Sequence, residues 1–229
     1  ELVQKKCETT RKELYLYNSE WEIISTLRNK NGYIKKIKIK NKNKRENKEI
    51  KINFQEMIKL YEQEKKIKIS EWYPNIKMIE NSRISVKENT KIVDLFNKIS
   101  LKAHANLYSE IEKLPDGIEK KMLLLAFSSN LANCSKLVPP IKSRGEMSQG
   151  AWMTGFYIGF EYIEKYSSLV INHYLDFLQI TRKRHYPLLN SIKNLYFCTV
   201  IYIGGIPLVI IHKKSIVFVF LIAFLYEKE

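Results

Sequence analysis

Residues 123–137 read LLLAFSSNLANCSKL, and the six residues from Met122 to Phe127 are apolar. A helix that is apolar on every side has to be buried, and at this length it packs in the core of a folded domain better than it spans a bilayer. The spacing predicts one helix over Ile118–Leu137, entered from the turn Pro115-Asp116-Gly117 and stopped by Val138-Pro139-Pro140. Upstream, Thr90 reads as an N-cap followed by Ile92, Val93, Leu95, Phe96 and Ile99, with Ser100 available to cap a second helix from Leu101. Leu101, Ala105, Tyr108 and Ile111 then recur at helical spacing. The pattern predicts a helical hairpin or small bundle. His104 on this helix has Tyr108 rather than a ligand at i+4, so it reads as a surface or core histidine.

Moving outward, the N-terminal text changes period. Tyr33 to Lys40 and Glu49 to Phe54 largely alternate apolar and polar residues, the pattern of half-buried antiparallel strands. Asn41 to Lys48 between them is a solvated loop, and from Lys30 to Lys48 nine basic residues face the single acid Glu46. Such a hairpin suits phosphate contacts, which strengthen binding without reading sequence. Lysines on an exposed edge hairpin also discourage aggregation, and both readings stand. Phe54 to Ile67 follows as a helix with Phe54, Met57, Ile58, Tyr61 and Lys65 along one side. Trp72 and Tyr73, before Pro74, read either as a core anchor or as faces on which a base stacks.

The 229 residues carry 39 Lys and Arg against 24 Asp and Glu, a net charge of +15. That surplus favours polyanionic partners, nucleic acid or an anionic membrane surface. Cys7, Cys134 and Cys198 form no C-x-x-C pair, so neither a zinc ribbon nor a disulfide framework is expected, and no metal site is assigned. Cys134 reads as a small buried residue.

Site character concentrates in Ile141 to Gly150, a polar loop punctuated by Gly145 and Gly150. Recognition residues gather on such loops. Lys142 and Arg144 are candidates for holding phosphates, and Gln149 carries the bidentate amide that an adenine edge requires. A plain structural connection explains the same loop equally well, and Tyr157 and Tyr162 then pack against a following helix over Glu161–Gln179. No Lys-Ser/Thr follows Gly150, so this is no phosphate loop.

The order of KIVDLFNKISLKAHANLYSEIEKL (Lys91–Leu114), LLLAFSSNLANCSKL and TGFYIGFEYIE (Thr154–Glu164) resembles a stretch of large adenine-specific DNA methyltransferases of the N6-adenine/N4-cytosine class. The resemblance runs from Lys91 to Tyr174, about a third of the chain. It implies the DNA-facing helical portion of an S-adenosylmethionine-dependent enzyme of restriction-modification type, in the cytoplasm. Such enzymes take the target base out of the stack, which makes Trp152, Phe156 and Tyr157 candidates for supporting a flipped base. Arg182, Lys183 and Arg184 join the nucleic-acid-binding candidates, with DNA as partner. The family's acidic or amide residue before Pro-Pro-aromatic has no counterpart, since Val138-Pro139-Pro140-Ile141 keeps only the prolines. Its F-x-G-x-G cofactor loop is also missing, because Phe156-Tyr157-Ile158-Gly159-Phe160 lacks the second glycine. No catalytic residue is therefore assigned, and S-adenosylmethionine is a cofactor by resemblance alone. The missing catalytic part of the same enzyme is expected as a partner.

From Leu195 the text turns apolar. Leu195–Ile211 and Ser215–Tyr226 are uncharged, separated by His212-Lys213-Lys214. Three readings fit: a re-entrant membrane hairpin turning at Lys213 and Lys214, two strands of a buried sheet, or a truncated or frame-shifted gene product. The first makes the chain a basic, membrane-attached interaction protein. The expected class is α+β, with a basic strand-rich region over 1–70, a helical domain over 71–194 and an apolar segment over 195–229.

Overall fold

In the computed structural model, which describes residues 2–79, 85–166, 199–203 and 206–210, the fold is α+β. Four strands form an antiparallel sheet in the order β3-β2-β1-β4: β1 Trp21–Asn29, β2 Ile34–Asn41, β3 Asn47–Lys51 and β4 Glu161–Lys165. The expected basic hairpin is β2 with β3, pairing Lys36 with Lys51 and Ile39 with Lys48. Ile37 and Ile39 follow the period of two, and a register shift opposite Leu27 and Arg28, with Lys35 as the extra residue, brings Ile34 into the same buried cluster with Ile52. Helix α2, Phe54–Lys65, closes this cluster with Met57 and Leu60. Asn53 caps it by accepting the Glu56 N–H at 2.8 Å. Phe54 and Ile58 point away from the core and stay exposed.

The turn from β1 to β2 is fixed locally. Asn29 Oδ1 accepts the backbone N–H of Asn31 at 3.0 Å and of Tyr33 at 3.1 Å. Gly32 has φ +92°, where a side chain is strained.

Three helices build the second layer: α1 Leu2–Tyr15, α3 Lys98–Glu112 and α4 Ile118–Leu131. Leu95, Phe96, Leu107, Tyr108, Ile111, Phe127 and Leu131 form their core, with Val3 brought in from α1. Trp72 and Tyr73 pack against it, Trp72 with its ring centroid 5.5 Å from that of Tyr108. The compositional change near residue 70 is bridged twice, since α1 packs on α3 and β4 pairs with β1.

Three local expectations are corrected. Residues 161–165 are a strand, where the pattern predicted the start of a helix over Glu161–Gln179. Tyr and Ile suit a pleated surface, and the pairing of Leu27 with Ile163 and Asn29 with Glu161 satisfies the backbone groups. Residues 167–179 lie outside the described residues. The helix expected from Thr90 is broken: Ile92–Leu95 is a 3₁₀ turn, Phe96 is extended at φ −121°, and α3 starts at Lys98. Asp94 takes the Lys91 N–H at 2.8 Å and closes that turn. Ser100 caps nothing; its hydroxyl donates to Glu164 at 2.7 Å. Finally, α4 ends at Leu131 and passes into a 3₁₀ turn, Ala132–Cys134, short of Leu137. Its burial is not all round, since Leu125 is 45 % exposed.

In the apolar C-terminal segment, β5 Thr199–Ile203 pairs antiparallel with β6 Ile206–Ile210, so the doubling back falls inside Leu195–Ile211. The turn expected at Lys213 and Lys214 lies outside the described residues, as does Ser215–Tyr226. No helix among the described residues is long and apolar enough to cross a membrane.

Candidate nucleic-acid interface

Two basic stretches far apart in sequence meet on one side of the sheet. Lys35 and Lys36 from β2, Lys51 from β3, and Pro140, Lys142 and Glu146 from the loop after α4 line a groove of about 590 Å³. Leu27 and Glu161 complete its lining. The loop is held in place by one apolar anchor, Met147, buried between Leu27 of β1 and Ile163 of β4. Its backbone closes on itself: Ile141 N–H donates to the Ser148 carbonyl at 2.8 Å and Gly150 N–H to the Pro139 carbonyl at 2.8 Å. A Cβ on Gly150 would lie 2.9 Å from that Pro139 oxygen, so only glycine lets the two segments approach this closely.

Charge in the groove is partly balanced from within. Lys36 pairs with Glu146, Lys35 with Glu161, and Lys142 lies 3.9 Å from Glu161. The hydrogen bond from Lys36 holds the Glu146 carboxyl below the usual carboxylate range, and the same bond raises Lys36. Four lysines against two glutamates leave the lining cationic. Each Lys–Glu pair has one solvent-exposed partner and is therefore weak enough for an incoming phosphate to exchange with it.

The candidates named from sequence separate into groups. Lys142 lines the groove, and Arg144 sits exposed on the same 3₁₀ turn, Lys142–Arg144. Gln149 is half-buried, and its amide donates to the Asn133 carbonyl at 3.4 Å, beside the loop rather than in the groove. Trp152 is half-buried and packs against the helical core, which gives its ring a role without a base. Tyr157 is 45 % exposed, and Phe156 is buried in the core. Arg182, Lys183 and Arg184 lie outside the described residues. The hairpin lysines were legible as a group; the counter-charges Glu146 and Glu161 were not, because only the fold brings them opposite Lys36 and Lys35.

A second polar cluster is buried beneath the sheet. Arg28 is 1 % exposed and reaches Glu64 of α2 at 2.6 Å, Glu164 of β4 at 2.8 Å and the Gly32 carbonyl at 2.8 Å. Burial alone would lower the guanidinium, but Glu164 and Glu64 outweigh it and raise it. Burial lifts the Glu164 carboxyl, and Glu64 adds to this against the pull of Arg28. Two carboxylates around one guanidinium leave the cluster one negative charge in excess, which is why a proton is favoured there. This cluster ties β1, β4, α2 and, through Ser100, α3 together and acts as a structural tie.

His104 and Cys134 are core residues. Burial pushes the Cys134 thiol up, and Sγ donates to Asn130 at 3.3 Å. No group of three or more potential metal ligands occurs among the described residues. A Cβ on Gly159 would meet the Glu161 carbonyl at 3.2 Å, so this glycine serves the entry into β4. No residue is assigned to S-adenosylmethionine.

No protein family model matches the chain, no curated protein matches it, and no solved structure matches it.

Proposed function

We propose that this chain binds nucleic acid through the lysine-lined groove, as the DNA-facing portion of an S-adenosylmethionine-dependent DNA methyltransferase whose catalytic residues lie elsewhere. One observation carries the binding reading: the basic β2–β3 hairpin and the Gly-punctuated loop converge so that Lys35, Lys36, Lys51 and Lys142 line one groove. Cations placed in a groove concentrate polyanions and release the counterions of the backbone they contact. The net charge of +15 supplies the long-range attraction. The methyltransferase assignment is supported by the ordered resemblance from Lys91 to Tyr174.

Binding of a labelled oligonucleotide, offered as single strand and as duplex and followed by anisotropy against salt, tests the groove. A Lys36→Ala/Lys51→Ala/Lys142→Ala variant is expected to flatten the slope of log K against log salt by about 0.9 for each phosphate that it no longer neutralises. An unchanged slope would place binding on another face, and no salt-sensitive binding of either form by the wild type would reject the function. For the finer assignment, the DNA flanking the coding region is read in all frames. An Asp/Asn-Pro-Pro-aromatic motif in the flank supports the methyltransferase, and flanks without one reject it.

A further inference from the structure

The segment leading into β4 leaves two aromatic side chains open: Tyr157 is 45 % exposed and Phe160 is 77 % exposed. Single exposed apolar residues are ordinary on protein surfaces. Phe160 differs in its surroundings. The Lys30 ammonium stands 5.5 Å from the centroid of its ring. The Lys30 N–H donates to the Phe160 carbonyl at 2.8 Å, which fixes this segment against the end of β1. The next residue, Glu161, lines the lysine groove. An open ring, a cation beside it and a cationic groove one residue away therefore meet where β4 begins.

We propose that Phe160, with Lys30 beside it and Tyr157 on the same segment, is a base-stacking platform, and that the ligand of this surface is single-stranded nucleic acid. The inference rests on the nucleic-acid reading of the groove. In a duplex the faces of the bases are covered by their neighbours and a ring enters only at the cost of unstacking a step, so a ring held open at the surface meets a free base face where a strand is unpaired. Single-strand binders combine the same two parts, a basic track for the phosphates and aromatic faces for successive bases. Lys30 is placed to meet the phosphate of the nucleotide whose base covers Phe160. Stacking tolerates every base, so this platform selects unpaired over paired strands and not one sequence over another.

The test uses the full chain and one labelled oligonucleotide, offered single-stranded and as its duplex. Phe160→Ala is expected to weaken single-strand binding about tenfold and leave duplex binding unchanged. Phe160→Trp is expected to keep wild-type affinity, whereas Phe160→Leu, which restores apolar area without a π face, falls with alanine. Circular dichroism confirms that each variant keeps its fold. Equal losses on single strand and duplex, or a leucine variant as good as tryptophan, would overturn the platform, as would full single-strand affinity in Phe160→Ala. If the wild type binds both forms and the Phe160 variants all match it, the platform alone falls. If the wild type binds neither, the nucleic-acid reading falls with it.

Discussion

Acid should unfold this protein partly through one imidazole, and replacing His104 with leucine should remove that part of the response. His104 is 1 % exposed on α3, with Phe96 and Phe127 at ring-centroid distances of 5.3 and 5.7 Å. Its Nδ1 lies 2.6 Å from the Ser100 carbonyl, so Nδ1 carries the proton and donates. Nε2 is buried with no hydrogen-bond partner. A second proton there would be a buried charge with nothing to accept it. Burial accordingly pushes the imidazole from 6.5 down to about 4, opposed only by the Ser100 carbonyl. The folded state thus holds this proton less tightly than the unfolded chain. The stability it contributes is complete above the unfolded value and is lost as pH falls through the folded one. The shift corresponds to about 3 kcal/mol in the acid limit, of which roughly 2 kcal/mol is already lost at pH 5. Urea denaturation of wild type and His104→Leu between pH 7.5 and 4.5 measures it. Carboxylates titrate in both proteins and cancel in the difference, so the two curves should separate by about 2 kcal/mol at pH 5 relative to pH 7.5. Parallel curves, or an imidazole that titrates near 6.5 by NMR in the folded protein, would refute the reasoning.

The buried tie gives a prediction of the opposite sign. Arg28→Met leaves Glu64 and Glu164 without their cation and should cost about 3–5 kcal/mol at neutral pH, whereas Glu164→Gln keeps acceptor and shape and should cost clearly less in the same denaturation assay. Because burial raises Glu164 above its unfolded value, its contribution is present in acid and fades as pH rises through the folded value. Arg28→Met should therefore recover part of its loss as pH falls; a deficit independent of pH would count against an unpaired carboxylate. In the groove, Glu146 competes with phosphate for Lys36. Glu146→Gln should tighten oligonucleotide binding about threefold, read by anisotropy, and unchanged affinity would mean that Lys36 meets no phosphate.

Much of the fold was legible because local periods coincide with burial. Ile37 and Ile39 alternate with lysine and are buried on β2, and Leu101, Ala105, Tyr108 and Ile111 recur at helical spacing and are buried on α3. The helix over 161–179 failed at its first turn. Tyr162 and Glu164 face Arg28's side of the sheet while Ile163 faces Leu27, an alternation of only five residues that a longer aromatic text conceals. Strand β1 was not foreseen. Its burial is continuous from Ser25 to Arg28, because it lies between β2 and β4 with Leu27 against Met147 and Arg28 against Glu64 of α2.

The basic charge, the β2–β3 hairpin, the apolar helix that must be buried and the Gly-punctuated loop beside it could all be read from the amino-acid order. These depend on residues close along the chain, where period, caps and turn chemistry act directly. Folding in three dimensions was needed to establish that Lys36 meets Glu146, that Met147 pins the loop between Leu27 and Ile163, and that Arg28 is enclosed by Glu64 and Glu164. Those contacts join residues distant along the chain, and their energies exist only once water has been excluded and the sheet has fixed which side chains face each other.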